Sequence, residues 1–154
     1  MFGGSLTRPQ AKSVATEWLY DSQSEDSRKW DDALSAFYNK GKLIGEHWIN
    51  GEVHTPYGRK IEATRHHVVS YLNQSTLIDM FHRQILKLNK FLENKKTFVA
   101  FMVHDQVVLD LKDSEKNHLK DIINILSNTP YGLFPVKVEI GQDFGNMKKV
   151  KIKV

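Results

Sequence analysis

Between Thr97 and Leu111 the chain reads Thr-Phe-Val-Ala-Phe-Met-Val-His-Asp-Gln-Val-Val-Leu-Asp-Leu, and no other stretch constrains the fold as tightly. Two apolar runs, each long enough for a buried strand, flank His104-Asp105. No Gly or Pro interrupts them, so the segment predicts an antiparallel hairpin with the polar pair at its tip. A carboxylate held between apolar walls is costly unless a cation meets it. Metal ions supply that cation where phosphoryl groups are transferred.

The rest of the chain sets outer bounds. Its 154 residues suit one domain with a real core, and 40% hydrophobic with 26% charged residues is ordinary for a soluble globular protein. The absence of Cys excludes disulfides and thiolate zinc sites and fits a reducing compartment. No stretch approaches the roughly 20 apolar residues of a membrane span, and Met1-Phe2-Gly3-Gly4-Ser5 lacks the pattern of a secretion signal. A net charge of +4 permits nucleic-acid binding without requiring it.

Periodicity predicts a helix over Arg8 to Tyr20, entered at Thr7 and Pro9, and a second from about Ser27 to Gly41 carrying Trp30, Ala33, Leu34 and Phe37. Pro56-Tyr57-Gly58 makes a tight turn between two short strands. Ala63 to Glu93 is helical, with a break expected at Asn73-Gln74-Ser75-Thr76, where Ser75 or Thr76 can cap a new helix. After the hairpin, Asp113 or Ser114 caps a helix with Leu119, Ile122, Ile123 and Leu126 on its core face, ended by Asn128 to Gly132. Pro135 to Ile140 alternates as a strand, and the basic tail from Met147 is a solvated edge strand or a phosphate contact. The expected fold class is α+β, with antiparallel strands backed by helices.

Several of these segments form an ordered series. Thr55-Pro56-Tyr57-Gly58-Arg59-Lys60 is followed by Leu72-Asn73-Gln74-Ser75, then His104-Asp105, then Val136-Lys137-Val138-Glu139-Ile140-Gly141 with Asp143-Phe144. In order and spacing, from about residue 50 to 145, the series resembles the C-terminal palm segment of family A DNA polymerases. There a Thr-x-x-Gly-Arg-Arg-like turn, a Gln-containing helix break, the motif C hairpin and a Val-x-Val-Gly-like strand succeed one another. Arg65-His66-His67 with Tyr71 to Ser75 looks more like phage replicative enzymes than bacterial repair enzymes. The resemblance implies a palm-like antiparallel sheet, made of the motif C hairpin at 97–111 and a C-terminal strand, packed against helices. Residues 1–50 would be a helical segment following the fingers, and 51–154 the palm segment.

The resemblance also implies roles. Asp105 would bind catalytic Mg2+ in a two-metal nucleotidyl transfer, where the ions activate the primer 3′-hydroxyl and stabilise the departing pyrophosphate. Taken alone, an isolated Asp is more often a turn residue accepting backbone N–H bonds; the series reverses that preference. His104 would position the primer terminus or serve as a hydrogen-bonded turn residue. Gln74 would reach the minor groove, where acceptors recur at every base pair, or cap the helix break. Arg59, Lys60 and Arg65 would contact phosphates, although such residues are common on any surface. Gln106 stands where the family has Glu and can offer only a carbonyl oxygen. The seven His do not suggest zinc, because no His-x-x-x-His pair occurs.

A two-metal site needs a second carboxylate about 4 Å or less from the shared ions, which in the resembled family lies in motif A, upstream of the fingers. Asp110 is a poor substitute, since strand alternation turns it away. The chain therefore corresponds to roughly the last quarter of such an enzyme and would be inactive without the rest. The start at Met1-Phe2-Gly3-Gly4 favours a natural or designed beginning near the end of the fingers. Among a split phage polymerase subunit, a fragment and a degenerate remnant, the split subunit is the favoured reading. Its partners would be the DNA primer-template, a dNTP held by the other chain, and an N-terminal subunit carrying motif A and the fingers, with helices around Trp18 and Trp30 as the contact surface. It would work in the host cytoplasm, with no membrane partner. The competing reading is a non-catalytic nucleic-acid-binding or interaction domain derived from a palm; an unrelated α+β domain is the third.

Overall fold

The computed structural model describes residues 6–20 and 29–152. The chain divides into two compact units, Met1–Leu77 and Ile78–Val154. Helices and short antiparallel sheets are mixed along it.

In the first unit, α1 (Arg8–Tyr20) is the helix that its apolar spacing predicts. Its Trp18 is buried, donating its indole N–H to Asp31 Oδ1 at 2.8 Å while Lys40 Nζ lies 4.2 Å from the ring centroid. Burial with a satisfied N–H makes Trp18 a core residue, which removes it from the expected contact surface. The expected start of the second helix at Ser27 lies outside the described residues. From Asp31 on, the single helix expected up to Gly41 is instead α2 (Asp31–Ser35) and α3 (Lys40–His47). Asn39 divides them, because its side chain accepts the Lys42 N–H at 2.9 Å and caps the new helix. Phe37, expected on a core face, is 69% exposed.

Strands β1 (Trp48–Ile49), β2 (Glu52–His54) and β3 (Lys60–Glu62) form a three-stranded antiparallel sheet. Val53, fully buried in the central strand, joins Val68 and Leu72 in a cluster flanked by Leu43, Ile44, Trp48, Ala63 and Tyr71. A 3₁₀ turn (Arg65–His67) leads into α4 (Val68–Leu92).

Helix α4 runs unbroken through Asn73-Gln74-Ser75-Thr76, contrary to the expected break. Each polar residue in a helix interior costs only a few tenths of a kcal/mol against the best helix formers. Burying Leu72 and Met80 on either side outweighs that.

The second unit is built on Ile85, Leu88 and Leu92 of α4 and Ile122 of α5 (Leu119–Ser127). A 3₁₀ segment, Asp113–His118, precedes α5, and no side chain caps either element by a hydrogen bond. Gln84, 2% exposed, donates through Nε2 to the carbonyls of Ile125 and Asn128 at 2.6 Å each. It thereby satisfies acceptors that the end of α5 would otherwise leave unpaired.

Strands β4 (Phe98–Val103) and β5 (Gln106–Asp110) form the predicted hairpin, with a register shift between Val99 and Phe101. Strands β6 (Asn128–Thr129) and β7 (Gly132–Leu133) pair with each other. So do β8 (Val138–Ile140) and β9 (Lys148–Val150), which makes the basic tail an edge strand. The hairpin and the C-terminal strand β8, expected in one sheet, therefore have separate ladder partners. The hairpin instead meets the 3₁₀ turn Phe144–Asn146 that joins β8 to β9, with the rings of Phe101 and Phe144 at 5.5 Å, edge to face. Gly141, at the end of the Val-x-Val run, is required there: a Cβ would come 2.6 Å from the Asn146 carbonyl oxygen.

Candidate functional site

The β4–β5 ladder closes at Val103↔Gln106, which leaves His104 and Asp105 as a two-residue turn. Two-residue hairpin turns match strand twist by placing a residue at positive φ, a demand usually met by Gly or Asn. Here His104 meets it, at φ 53°. A non-glycine residue in that region carries about 1–2 kcal/mol of strain. Such strain concentrates where a side chain serves something other than stability.

Both tip residues are exposed, and among the described residues neither side chain makes a hydrogen bond or ion pair. The apolar runs behind them are only half enclosed. Val99, Val107 and Leu109 pack on the core of α4 and α5. On the other face Phe98, Phe101 and Val103 are 54%, 43% and 40% exposed. The expected burial of both runs is thus corrected: a two-stranded ribbon has two faces, and this unit covers one. The Asp105 carboxylate consequently stands in solvent with its oxygens unclaimed.

Magnesium takes octahedral oxygen ligands, of which proteins supply one or two carboxylates beside waters and phosphates. Asp105 fits as one such ligand. Among the described residues no three His, Cys, Asp or Glu side chains gather to hold a metal. Asp110 pairs with Phe98 at the opposite end of the hairpin, about 16 Å along the strand at about 3.3 Å per residue. Gln106, paired with Val103 beside the tip, is exposed.

The other predicted residues belong to the first unit. The loop Thr55–Arg59 is closed by Gly58 N–H to Thr55 O at 2.9 Å, by Thr55 N–H to Arg59 O at 2.9 Å, and by Arg59 N–H to Thr55 Oγ1 at 3.1 Å. Gly58 at φ 85° allows the reversal without strain. Arg59 and Lys60 emerge exposed from this loop, Lys60 opposite His54 in the ladder. Arg65, also exposed, opens the 3₁₀ turn.

Gln74 projects from an unbroken helix, exposed, with Nε2 donating to Ser70 Oγ at 3.2 Å. The capping role considered for it falls away with the break. A cavity of about 540 Å³ in this unit is lined by Glu52, Glu62, His67 and Tyr71 among others. Its two carboxylates make it a poor place for a phosphate.

One constellation had no place in the sequence reading. Glu115, in the 3₁₀ segment after β5, accepts the Lys96 N–H at 3.0 Å and the Thr97 N–H at 2.8 Å, one on each carboxylate oxygen. Thr97, 1% exposed, accepts the Lys112 N–H on Oγ1 at 3.1 Å. The Lys96 N–H, then the Thr97 hydroxyl and the Thr97 N–H, hold the Glu115 carboxyl down at about 2. An acid shortly after a hairpin and a Thr at its start were the available signals. Their meeting across 18 residues was not.

No protein-family model and no curated protein matches the chain. No helix among the described residues is long and apolar enough to cross a membrane.

Proposed function

We propose that the chain is the C-terminal part of a family A, phage-type DNA-directed DNA polymerase, with a palm-like hairpin that carries one metal-binding carboxylate. The observation that carries this reading is the hairpin tip, where a strained His104 and an unpartnered Asp105 are presented to solvent. A turn shaped only for stability would hold glycine or asparagine at that position.

In this reading Asp105 holds Mg2+ jointly with a motif A carboxylate on a partner chain that also carries the fingers and the dNTP. The metal, when bound, acidifies the primer 3′-hydroxyl and offsets charge on the pyrophosphate. His104, presented to solvent by its positive-φ turn, orients the primer end. Gln74 offers an amide to minor-groove acceptors, and Arg59, Lys60 and Arg65 offer cations to the primer-template backbone. The setting is phage DNA replication in the host cytoplasm.

Primer extension by this chain together with its partner tests the proposal. Extension is expected with both chains and Mg2+, and Asp105→Ala should abolish it. Unchanged extension in that variant removes Asp105 from catalysis. The uncharged, exposed Gln106 beside Asp105 favours a second reading, a non-catalytic nucleic-acid-binding or interaction domain. Primer-template binding that survives Asp105→Ala, with no extension by the wild-type pair, would select it.

A further inference from the structure

The hairpin is a lever. Its inner face packs on the core through Val99, Val107 and Leu109. Its outer face and its register shift near the start leave its tilt to be set jointly by that packing and by the bonds at its base. Isolated two-stranded hairpins are at best marginally stable in water. The bonds that tie one end of it to the following segment are at the base, between residues 96–97 and 112–115.

We propose that Glu115, through its two-pronged grip on the Lys96 and Thr97 amides, is a positioning residue that sets where the hairpin tip and its Asp105 point. The 3₁₀ segment bearing Glu115 closes on itself, with Glu115 N–H donating to Lys112 O at 2.8 Å. The Lys112 N–H in turn donates to buried Thr97 Oγ1, so the grip is a ring of bonds rather than one contact. Charge-assisted bonds of this kind are roughly twice as strong as neutral ones.

Geometry magnifies small changes at the base. Six residues of β4 span about 20 Å at about 3.3 Å each, so a tilt of about 10° carries the tip about 3 Å. Misplacing a reacting group by about 1 Å can cost roughly a hundredfold in rate. A residue that never touches substrate can therefore govern a carboxylate at the far end of the ribbon. The catalytic consequence rests on the polymerase reading; the mechanical one does not.

The test uses the full chain with Glu115→Ala and Glu115→Gln. Amide hydrogen exchange at Lys96, Thr97 and through β4 should quicken about tenfold or more in Glu115→Ala, while the α4 amides around Leu88 keep their protection. Glu115→Gln, which retains one acceptor oxygen, should fall between. In the wild type the Lys96 and Thr97 amide proton resonances should shift as the carboxylate titrates near pH 2.

In the assembled polymerase, Glu115→Ala should lower kcat roughly ten- to a hundredfold with little change in KM for dNTP, and Glu115→Gln should recover part of it. Unchanged exchange in both variants overturns the grip. Loosened exchange with unchanged kcat overturns the positioning role. A wild-type pair that never extends a primer sinks the polymerase reading instead, and the exchange result then decides the mechanical claim alone.

Discussion

Two turns of this chain solve the same geometric problem with different residues. The Thr55–Arg59 loop reverses the chain at Gly58, at φ 85°, with buried Thr55 bonded on its N–H, carbonyl and hydroxyl. The β4–β5 turn reverses it at His104, at φ 53°, with its two side chains bonded to nothing among the described residues. The first is what backbone stability asks for. The second retains strain and two exposed polar groups, which is the pattern of a turn kept for what its side chains do. The contrast teaches that backbone angle and side-chain bonding separate a structural turn from a candidate site more sharply than residue type.

The largest expected effect divides the two turns by activity. On the proposed polymerase function, Asp105→Ala should reduce primer extension with the partner chain by roughly a thousandfold or more, as loss of several kcal/mol of metal-centred stabilisation would require. Its stability by urea denaturation should stay within about 0.5 kcal/mol of wild type, because the side chain is exposed. A large loss of stability would make Asp105 a turn residue after all.

Next, Gly58→Ala should destabilise by about 1–2 kcal/mol in the same denaturation experiment. A Cβ there meets nothing within 4 Å, so the whole cost is the positive φ. The reciprocal change, His104→Gly, should leave stability equal or raise it by up to about 1 kcal/mol, since relief of strain opposes the greater freedom of an unfolded glycine. It should nevertheless lower primer extension. If His104→Gly instead destabilises the fold, the two turns are alike and the contrast fails.

The smallest effect is a pH dependence. Glu115 is held at about 2 in the folded chain, below its ordinary 4.5. A carboxyl whose folded value is depressed contributes stability that is complete above the unfolded value. That contribution should persist above about pH 4.5 and decline as pH falls toward 2. Comparing acid unfolding of wild type with Glu115→Gln should show the wild-type advantage shrinking across this window.

Local pattern foretold much of the architecture. The hairpin was legible because Phe98–Val103 and Val107–Leu109 are apolar, free of Gly and Pro, and parted by the polar residues His104, Asp105 and Gln106. Helix α1 and the Pro56-Tyr57-Gly58 turn were legible for similarly local reasons. Polarity alone does not mark a helix boundary. Asn73 to Thr76 did not stop α4, since burial of Leu72 and Met80 outweighs their small helix cost. Conversely, a single Asn39 cap divided what apolar spacing made one helix.

By itself, then, the sequence determined that residues 98–110 form a hairpin with His104 and Asp105 at its tip. This follows from side-chain periodicity and turn chemistry, which act over a few residues. Only the tertiary structure decided that one face of the hairpin stays exposed, that β8 pairs with β9 rather than with the hairpin, and that Trp18 is core. It alone brought Glu115 to Thr97. Such outcomes depend on which surfaces remain to be covered once distant segments meet, a competition that no local pattern records.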